Sequence, residues 1–272
     1  MAASDDKPLA ATSPVTPDAW QELRGATPAR IALGRAGGSL PTCEWLAFKS
    51  AHAAARDAVH NVFDAERLAA EIIARGMETV VVDSAATDRT NYLQRPDLGR
   101  RLEESSRQRL ERLRRPDSPY DLAIIISDGL SALAVHRQAA PLLAELIPAL
   151  QSEAWRLAPV VIARFGRVAL EDEIGALLGA ELALMLIGER PGLGSPDSLG
   201  AYVVYGPGPG NTDANRNCVS NIRPEGLPPR AAAETIKYLL GEAKRRKLSG
   251  VLLKDERLLP RIETPGRLSA ES

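Results

Sequence analysis

The chain has 272 residues, of which 44% are hydrophobic and 25% charged, so it can form one large α/β domain with a well-filled core. Its 34 Lys and Arg residues nearly balance 35 Asp and Glu residues, which argues against nucleic acid or an anionic membrane as a partner. No apolar run reaches the roughly 18–20 residues of a membrane span, and the first residues lack a secretory signal. We therefore expect a cytoplasmic protein. Its two cysteines, Cys43 and Cys218, are expected to be reduced thiols, with a bridge between them as the alternative.

The first 76 residues contain no clear strand pattern. Residues 1–26 are rich in Ala, Ser, Pro and Asp without apolar periodicity, which is typical of a flexible tail. Good helix formers without a breaker predict a first helix over residues 43–59, and a second is predicted over 65–75, with Gly76 as its stop. The composition therefore predicts a helical N-terminal part over residues 27–76.

From residue 77 onward, strand and helix patterns alternate. Short apolar or β-branched runs predict strands at 78–83, 120–129, 159–164, 182–187 and 201–205. Helical patterns fall at 98–115, 131–152, 171–178 and 229–247, and a break is expected near Pro141. This order predicts the α/β class: a Rossmann-like, mainly parallel sheet with helices on both faces, formed by residues 77–272 and preceded by the helical part.

Polar segments follow three of these predicted strands. They are Ser127-Asp128-Gly129, Gly188-Glu189-Arg190, and a glycine- and proline-rich run that begins at Gly206 and ends in Asn215, Arg216, Asn217 and Cys218. Because parallel strands end at the same edge of a sheet, we expect all three segments at that edge, where α/β proteins bind ligands. Glu189 is interpreted either as the partner of Arg190 in a turn or as an acceptor for a neutral polar ligand. Cys218 is a small residue that usually just packs.

Other motifs indicate ordinary structure. Residues 34–38 lack the full GxGxxG spacing and are read as a turn. His52, Arg56 and His60 share one helical face but lack a metal-binding pattern, so a solvated or interface face is favoured, and His136 is expected to be structural. The acidic run 171–173 suits the positive N-terminal end of a helix dipole.

Five segments occur in an order that identifies a known family. They are Arg30–Gly37, His52–Val59, Ser127–Ala132, Leu186–Leu193 and Arg216–Arg223. Together they resemble the small (light) subunit of ethanolamine ammonia-lyase over about residues 28–256. The individual motifs are short, but their shared order makes the resemblance specific.

The resemblance implies an enzyme that uses adenosylcobalamin to convert ethanolamine into acetaldehyde and ammonia by a radical mechanism. A TIM-barrel large subunit holds the substrate, and the small subunit clamps the corrinoid against it. The family's corrinoid contacts fall on Val168, Glu189 and Cys218, and they place no catalytic residue or metal ligand on this chain. Residues 77–272 would then be the cobalamin-binding domain. The absence of a DxHxxG pattern agrees with a cofactor that keeps its dimethylbenzimidazole ligand. The family also suggests a bacterial microcompartment as a location, addressed by the N-terminal tail.

Two other functions compete with this one. An independent nucleotide-binding enzyme with a Rossmann-like sheet predicts a strand–GxGxxG–helix fingerprint, which the sequence lacks. A structural scaffold predicts that replacing Glu189 with Gln leaves cobalamin binding unchanged, whereas a cofactor-binding subunit predicts weaker binding.

Overall fold

The computed structural model describes residues 13–257, and two helices precede its first strand. These are α1 (Thr42–His60) and α2 (Ala65–Ile73). Before them, a short 3-10 helix spans Gln21–Gly25, and Thr16 forms an isolated bridge with Arg35. The first twelve residues of the predicted tail, and with them most of any targeting segment, lie outside the described residues, so the tail stays a prediction.

Six strands form one mixed sheet. They are β1 (Thr79–Asp83), β2 (Leu122–Ser127), β3 (Val160–Arg164), β4 (Leu182–Gly188), β5 (Leu199–Tyr205) and β6 (Arg216–Ile222). Their order is β1-β3-β2-β4-β5-β6. The first four in this order are parallel, whereas β5 runs antiparallel to both β4 and β6. The prediction of a mainly parallel sheet agrees with this arrangement, and the two antiparallel pairings of β5 were not anticipated.

Helices pack on both faces of the sheet. After β1 come α3 (Arg89–Gln94), α4 (Glu104–Glu111), α5 (Ala132–Ser152), α6 (Leu170–Leu178) and α7 (Pro229–Arg246). Helices α2, α5 and α7 share the core on the first face, and α4 and α6 share the core on the second face. None of the helices among residues 13–257 is long and apolar enough to cross a membrane.

Strand β2 lies inside the sheet, and every residue in it is buried. Ile124 and Ile126 point into the first core, while Ala123 and Ile125 point into the second. A strand covered on both faces needs apolar residues at consecutive positions, which explains the unbroken run in the sequence.

Two predicted helices differ from the structure. Helix α5 is continuous through Pro141, because burial of its apolar face against the sheet offsets the hydrogen bond that proline removes. The segment predicted as a helix over 98–115 is instead a 3-10 turn, Leu98–Arg100, followed by α4. Between them Leu102 is buried, and its N–H donates to Glu173 Oε2 at 2.8 Å. This contact with α6 holds the backbone in a non-helical conformation at Leu102.

The Gly-Pro segment also differs from the prediction. Its last residues, from Arg216, are part of β6 rather than of a loop. Because β5 is antiparallel to β4, the turn at Gly206 lies at the amino end of β4, where its N–H donates to Glu181 O at 2.9 Å. The expectation that this turn meets Asp128 and Glu189 at one edge is therefore wrong, although those two residues do follow the carboxyl ends of neighbouring strands.

Candidate functional site

The ends of β2 and β4 meet backbone against backbone. Leu130 N–H donates to Gly188 O at 2.8 Å. Gly129 has φ +52°, and a Cβ added there would lie 2.4 Å from Gly188 O. Glycine is thus required at Gly129 both for its conformation and for this close approach. The contact fixes the position of the segment that begins with Glu189.

Asp128 anchors this edge to the N-terminal helices. Its buried carboxylate accepts from Phe165 N at 2.7 Å and from Arg89 Nη1 at 3.0 Å. Arg89 also donates to Gly129 O at 2.6 Å and to Val59 O at 2.8 Å, which ties the end of α1 to the sheet. Burial raises the pKa of Asp128 to about 6, against the opposing effect of Arg89 and the Phe165 N–H.

The carboxylate of Glu189 is held through one of its two oxygens. Oε2 accepts hydrogen bonds from Ser198 Oγ and, at 3.2 Å, from Asn221 N. Within residues 13–257, Oε1 accepts no hydrogen bond and lies over Gly200, where an added Cβ would stand 2.9 Å from it. Glu189 therefore has a fixed carboxylate with one acceptor oxygen available to a ligand.

Two adjoining cavities form a groove on the second face of the sheet, which we call the Val168 groove. The first, of about 400 Å³, is lined by Val168, Glu189 and Tyr202 among others. The second, of about 440 Å³, is lined by Val168, Arg100 and Arg216 among others. Val168 and its neighbour Arg167 belong to both cavities. Each volume is in the range of small-molecule sites.

Cys218 lies beside this groove on β6. It pairs with Tyr202 of β5, and the two side chains are close enough that each affects the pKa of the other. Cys218 and Cys43 are both free thiols and exposed. Partial desolvation raises the pKa of Cys218, and desolvation likewise raises that of Tyr202, so both groups are neutral at pH 7. The structure thus brings together Val168, Glu189 and Cys218, with Tyr202 as the link between the last two.

A buried ionic cluster supports the far end of the groove. Arg216 binds Glu171 Oε1 through Nε at 2.7 Å and also contacts Asp172. Asp172 in turn accepts from Gly208 N at 3.2 Å and from Asn211 Nδ2 at 2.7 Å. Burial raises the pKa of Glu171 well above its usual value, despite Arg216. The acidic run does lie in the first turn of α6, as the helix dipole favours, but two of its carboxylates also bind Arg216.

Sequence analysis missed this cluster, and also Ser198, Tyr202 and Arg167. The adjacent acids at 171–172 and a lone arginine in a polar segment were a weak signal for an ion pair. The sequence does not reveal this ion pair, because Arg216 lies more than forty positions from Glu171 and Asp172.

A larger cavity, of about 810 Å³, lies on the other side of Glu189. Its lining includes Phe48 of α1 and Leu193 of the loop after β4. Glu189 therefore stands between this cavity and the Val168 groove.

The histidines take no part in the groove. His136 accepts a hydrogen bond from Asp64 N at 3.1 Å, which is a structural role at the start of α2. Among residues 13–257, no cluster of His, Cys, Asp and Glu has the arrangement of a metal site, and this includes the face of His52 and His60.

Comparison with known proteins shows which proteins the whole chain is similar to. The family described as ethanolamine ammonia-lyase light chain (EutC) matches residues 17–254. Three curated relatives are each called ethanolamine ammonia-lyase small subunit. The relative from Ralstonia nicotianae is 53% identical over 97% of this chain and 96% of its own. That from Pseudomonas syringae pv. tomato is 54% identical over 90% and 86%. That from Azotobacter vinelandii is 55% identical over 93% and 94%.

Proposed function

Because this chain belongs to the family of ethanolamine ammonia-lyase small subunits, we propose that it holds adenosylcobalamin in the Val168 groove against a large subunit. The large subunit is a TIM barrel that binds ethanolamine, and the small chain is active only in complex with it. The groove is made of two adjoining cavities, and a second chain packed over them would complete the site.

The observation that carries this proposal is the free oxygen of Glu189 at the edge of a groove that Val168 also lines, with Cys218 beside its wall residue Tyr202. A corrin ring carries neutral amide side chains, whose N–H groups are donors. Glu189 Oε1 offers them a fixed acceptor, and Val168 offers an apolar contact to the ring. The neutral thiol of Cys218, next to Tyr202, adds polarity without charge. These residues fit the chemistry of a corrinoid.

The residues of this chain bind and orient the cofactor. When bound, adenosylcobalamin supplies the radical chemistry that removes ammonia from ethanolamine. Ser198 and Asn221 fix the carboxylate of Glu189 before the cofactor arrives, so little ordering is needed on binding. The groove and the large subunit together exclude water from the reacting centre.

The domain assignment follows from the same proposal. We place the cofactor on a Rossmann-like unit that begins at about residue 77, with the helical part at 27–76 before it. The parallel strands β1 to β4 and the helices on both faces support this unit. Residues 258–272, included in the predicted domain, lie outside the described residues.

The test is the variant Glu189→Gln in the complex of both subunits. Loss of the charge weakens the hydrogen bonds that Oε1 accepts, and we expect cobalamin to bind roughly 10-fold more weakly. Binding is measured by equilibrium dialysis, and assembly by gel filtration. Glu225→Gln, an exposed residue outside the groove, is the matched control.

Unchanged cobalamin affinity in Glu189→Gln, with assembly intact, would contradict the assigned role of this residue. Deamination of ethanolamine by this chain without the large subunit would contradict the proposal as a whole.

A further inference from the structure

Arg167 lies between the two cavities of the Val168 groove and lines both of them. Its guanidinium stacks on the ring of Tyr92, with Cζ 4.0 Å from the ring centroid, and Nη2 donates to Tyr92 O at 2.9 Å. Its stem passes over Gly99, where an added Cβ would be 2.8 Å from Arg167 Cγ. The side chain is thus held in one position by its neighbours.

No carboxylate balances this cation. Among residues 13–257, no Asp or Glu oxygen lies within 4.0 Å of Arg167, and its buried Nε has no hydrogen-bond partner. Arg216, which lines the second cavity as well, is by contrast bound to both Glu171 and Asp172. A guanidinium that lines a cavity and that no carboxylate balances favours an anionic ligand.

We propose that Arg167 binds the phosphodiester of the nucleotide tail of cobalamin. This inference rests on the proposed function and adds, beside Glu189, a second residue that contacts the cofactor. The amides of the corrin ring are neutral, whereas the tail that carries the dimethylbenzimidazole has one anionic phosphodiester. A guanidinium fork pairs with phosphate oxygens through two neighbouring N–H groups. In the described residues Nη1 has no protein partner, and Nη2 has a second N–H beyond the one that Tyr92 O accepts, so these two groups are the fork that a phosphate would meet.

The positions of Glu189 and Arg167 suggest that different parts of the groove bind different parts of the cofactor. Glu189 lines the first cavity and accepts hydrogen bonds, whereas Arg167 faces both cavities and donates them. The two groups of opposite charge therefore suit different parts of one ligand: amides at Glu189 and the phosphodiester at Arg167.

The experiment compares two ligands on the complex of both subunits. Cobalamin carries the nucleotide tail, and a cobinamide is the same corrin without that tail and its phosphate. Affinities are measured by equilibrium dialysis for the wild type, Arg167→Gln and Arg167→Lys. The control for net charge is Arg112→Gln, at the end of α4 and outside both cavities.

We expect Arg167→Gln to bind cobalamin roughly 10- to 100-fold more weakly and cobinamide within about 2-fold of the wild type. Arg167→Lys should lose less than Arg167→Gln, because it keeps the charge but not the fork. Thermal unfolding checks that both variants are folded, and the lysine variant replaces the glutamine variant if the latter is not.

Equal losses for both ligands, or no loss for either, would overturn the inference, because the effect would then not pass through the phosphate. These outcomes leave the proposed function intact as long as the wild-type complex binds cobalamin. If the wild-type complex bound neither ligand, the proposed function itself would be wrong.

Discussion

Two buried aspartates flank strand β2, and their pKa values are shifted in opposite directions. At Asp128, burial outweighs the attraction of Arg89 and raises the pKa to about 6. At Asp121, burial acts in the same sense but is outweighed by hydrogen bonds from Arg156 Nη2 at 2.8 Å and Lys244 Nζ at 2.9 Å, so the pKa falls below its usual range. The two residues should therefore change stability with pH in opposite senses.

The size of the effect at Asp128 follows from its two pKa values. Between the usual value of 3.8 and the folded value of about 6, the folded state binds more protons than the unfolded state, so stability falls as pH rises. The full difference amounts to about 3 kcal/mol, of which about 2 kcal/mol falls between pH 4.5 and 7.5. At Asp121 the pKa is lowered, so its stabilisation is present at neutral pH and is lost as pH falls toward its folded pKa.

The assay is urea unfolding of the wild type, Asp128→Asn and Asp121→Asn, followed by circular dichroism at pH 4.5 and 7.5. Relative to Asp128→Asn, the wild type should gain about 2 kcal/mol on going to pH 4.5. Relative to Asp121→Asn, the free energy of unfolding of the wild type should not rise between pH 7.5 and 4.5, and it should begin to fall at the lower pH. A stability difference between wild type and Asp128→Asn that is constant with pH, or that grows toward pH 7.5, would show that Arg89 keeps Asp128 ionised and would refute the reasoning.

Two further changes test the groove and its support. Arg216→Met leaves Glu171 buried without its partner. We expect the free energy of unfolding, measured in urea, to fall by about 3–5 kcal/mol. A fall of less than about 1 kcal/mol would mean that the ion pair does not offset its own desolvation. Gly200→Ala places a Cβ 2.9 Å from Glu189 Oε1 and should weaken cobalamin binding about 10-fold in dialysis, whereas Gly241→Ala, in α7 with open space around it, should not. Equal affinities of these two glycine variants would contradict the position assigned to the carboxylate.

The parallel part of the sheet could be predicted from the sequence, whereas its antiparallel edge could not be predicted from strand patterns alone. β2 is an unbroken apolar run, and burial on both faces produces that signal directly. β6 contains Asn217 and Ser220, which have low strand propensity, and it forms because β5 supplies its hydrogen bonds. The length of the connection, rather than any strand pattern, indicates the direction of β5. Residues 189–198 contain no helix, and a connection between parallel strands needs a longer crossover.

From residue patterns, the candidate site was predictable only where a residue stands next to a strand end, whereas Val168 and Cys218 were named through the family resemblance alone. Glu189 follows a buried strand, and its place at the sheet edge followed from that position. Arg167 and Tyr202 carried no such signal, because their roles depend on Tyr92 and Cys218, which are distant in the chain. Contacts of this kind are set by the packing of whole elements, and a single sequence does not contain them.

The Gly-Pro turn acts on the groove from the opposite end of the sheet. Pro207 packs against α6 at Gly175, where an added Cβ would lie 2.5 Å from Pro207 Cγ, so only glycine allows this approach. Asp172 binds both the turn and Arg216, the first residue of β6. The turn therefore fixes where β6 begins, and the register from that point places Cys218 opposite Tyr202. A change that loosens the turn should therefore shift both the thiol of Cys218 and the second cavity of the groove, which Asn211 and Arg216 line.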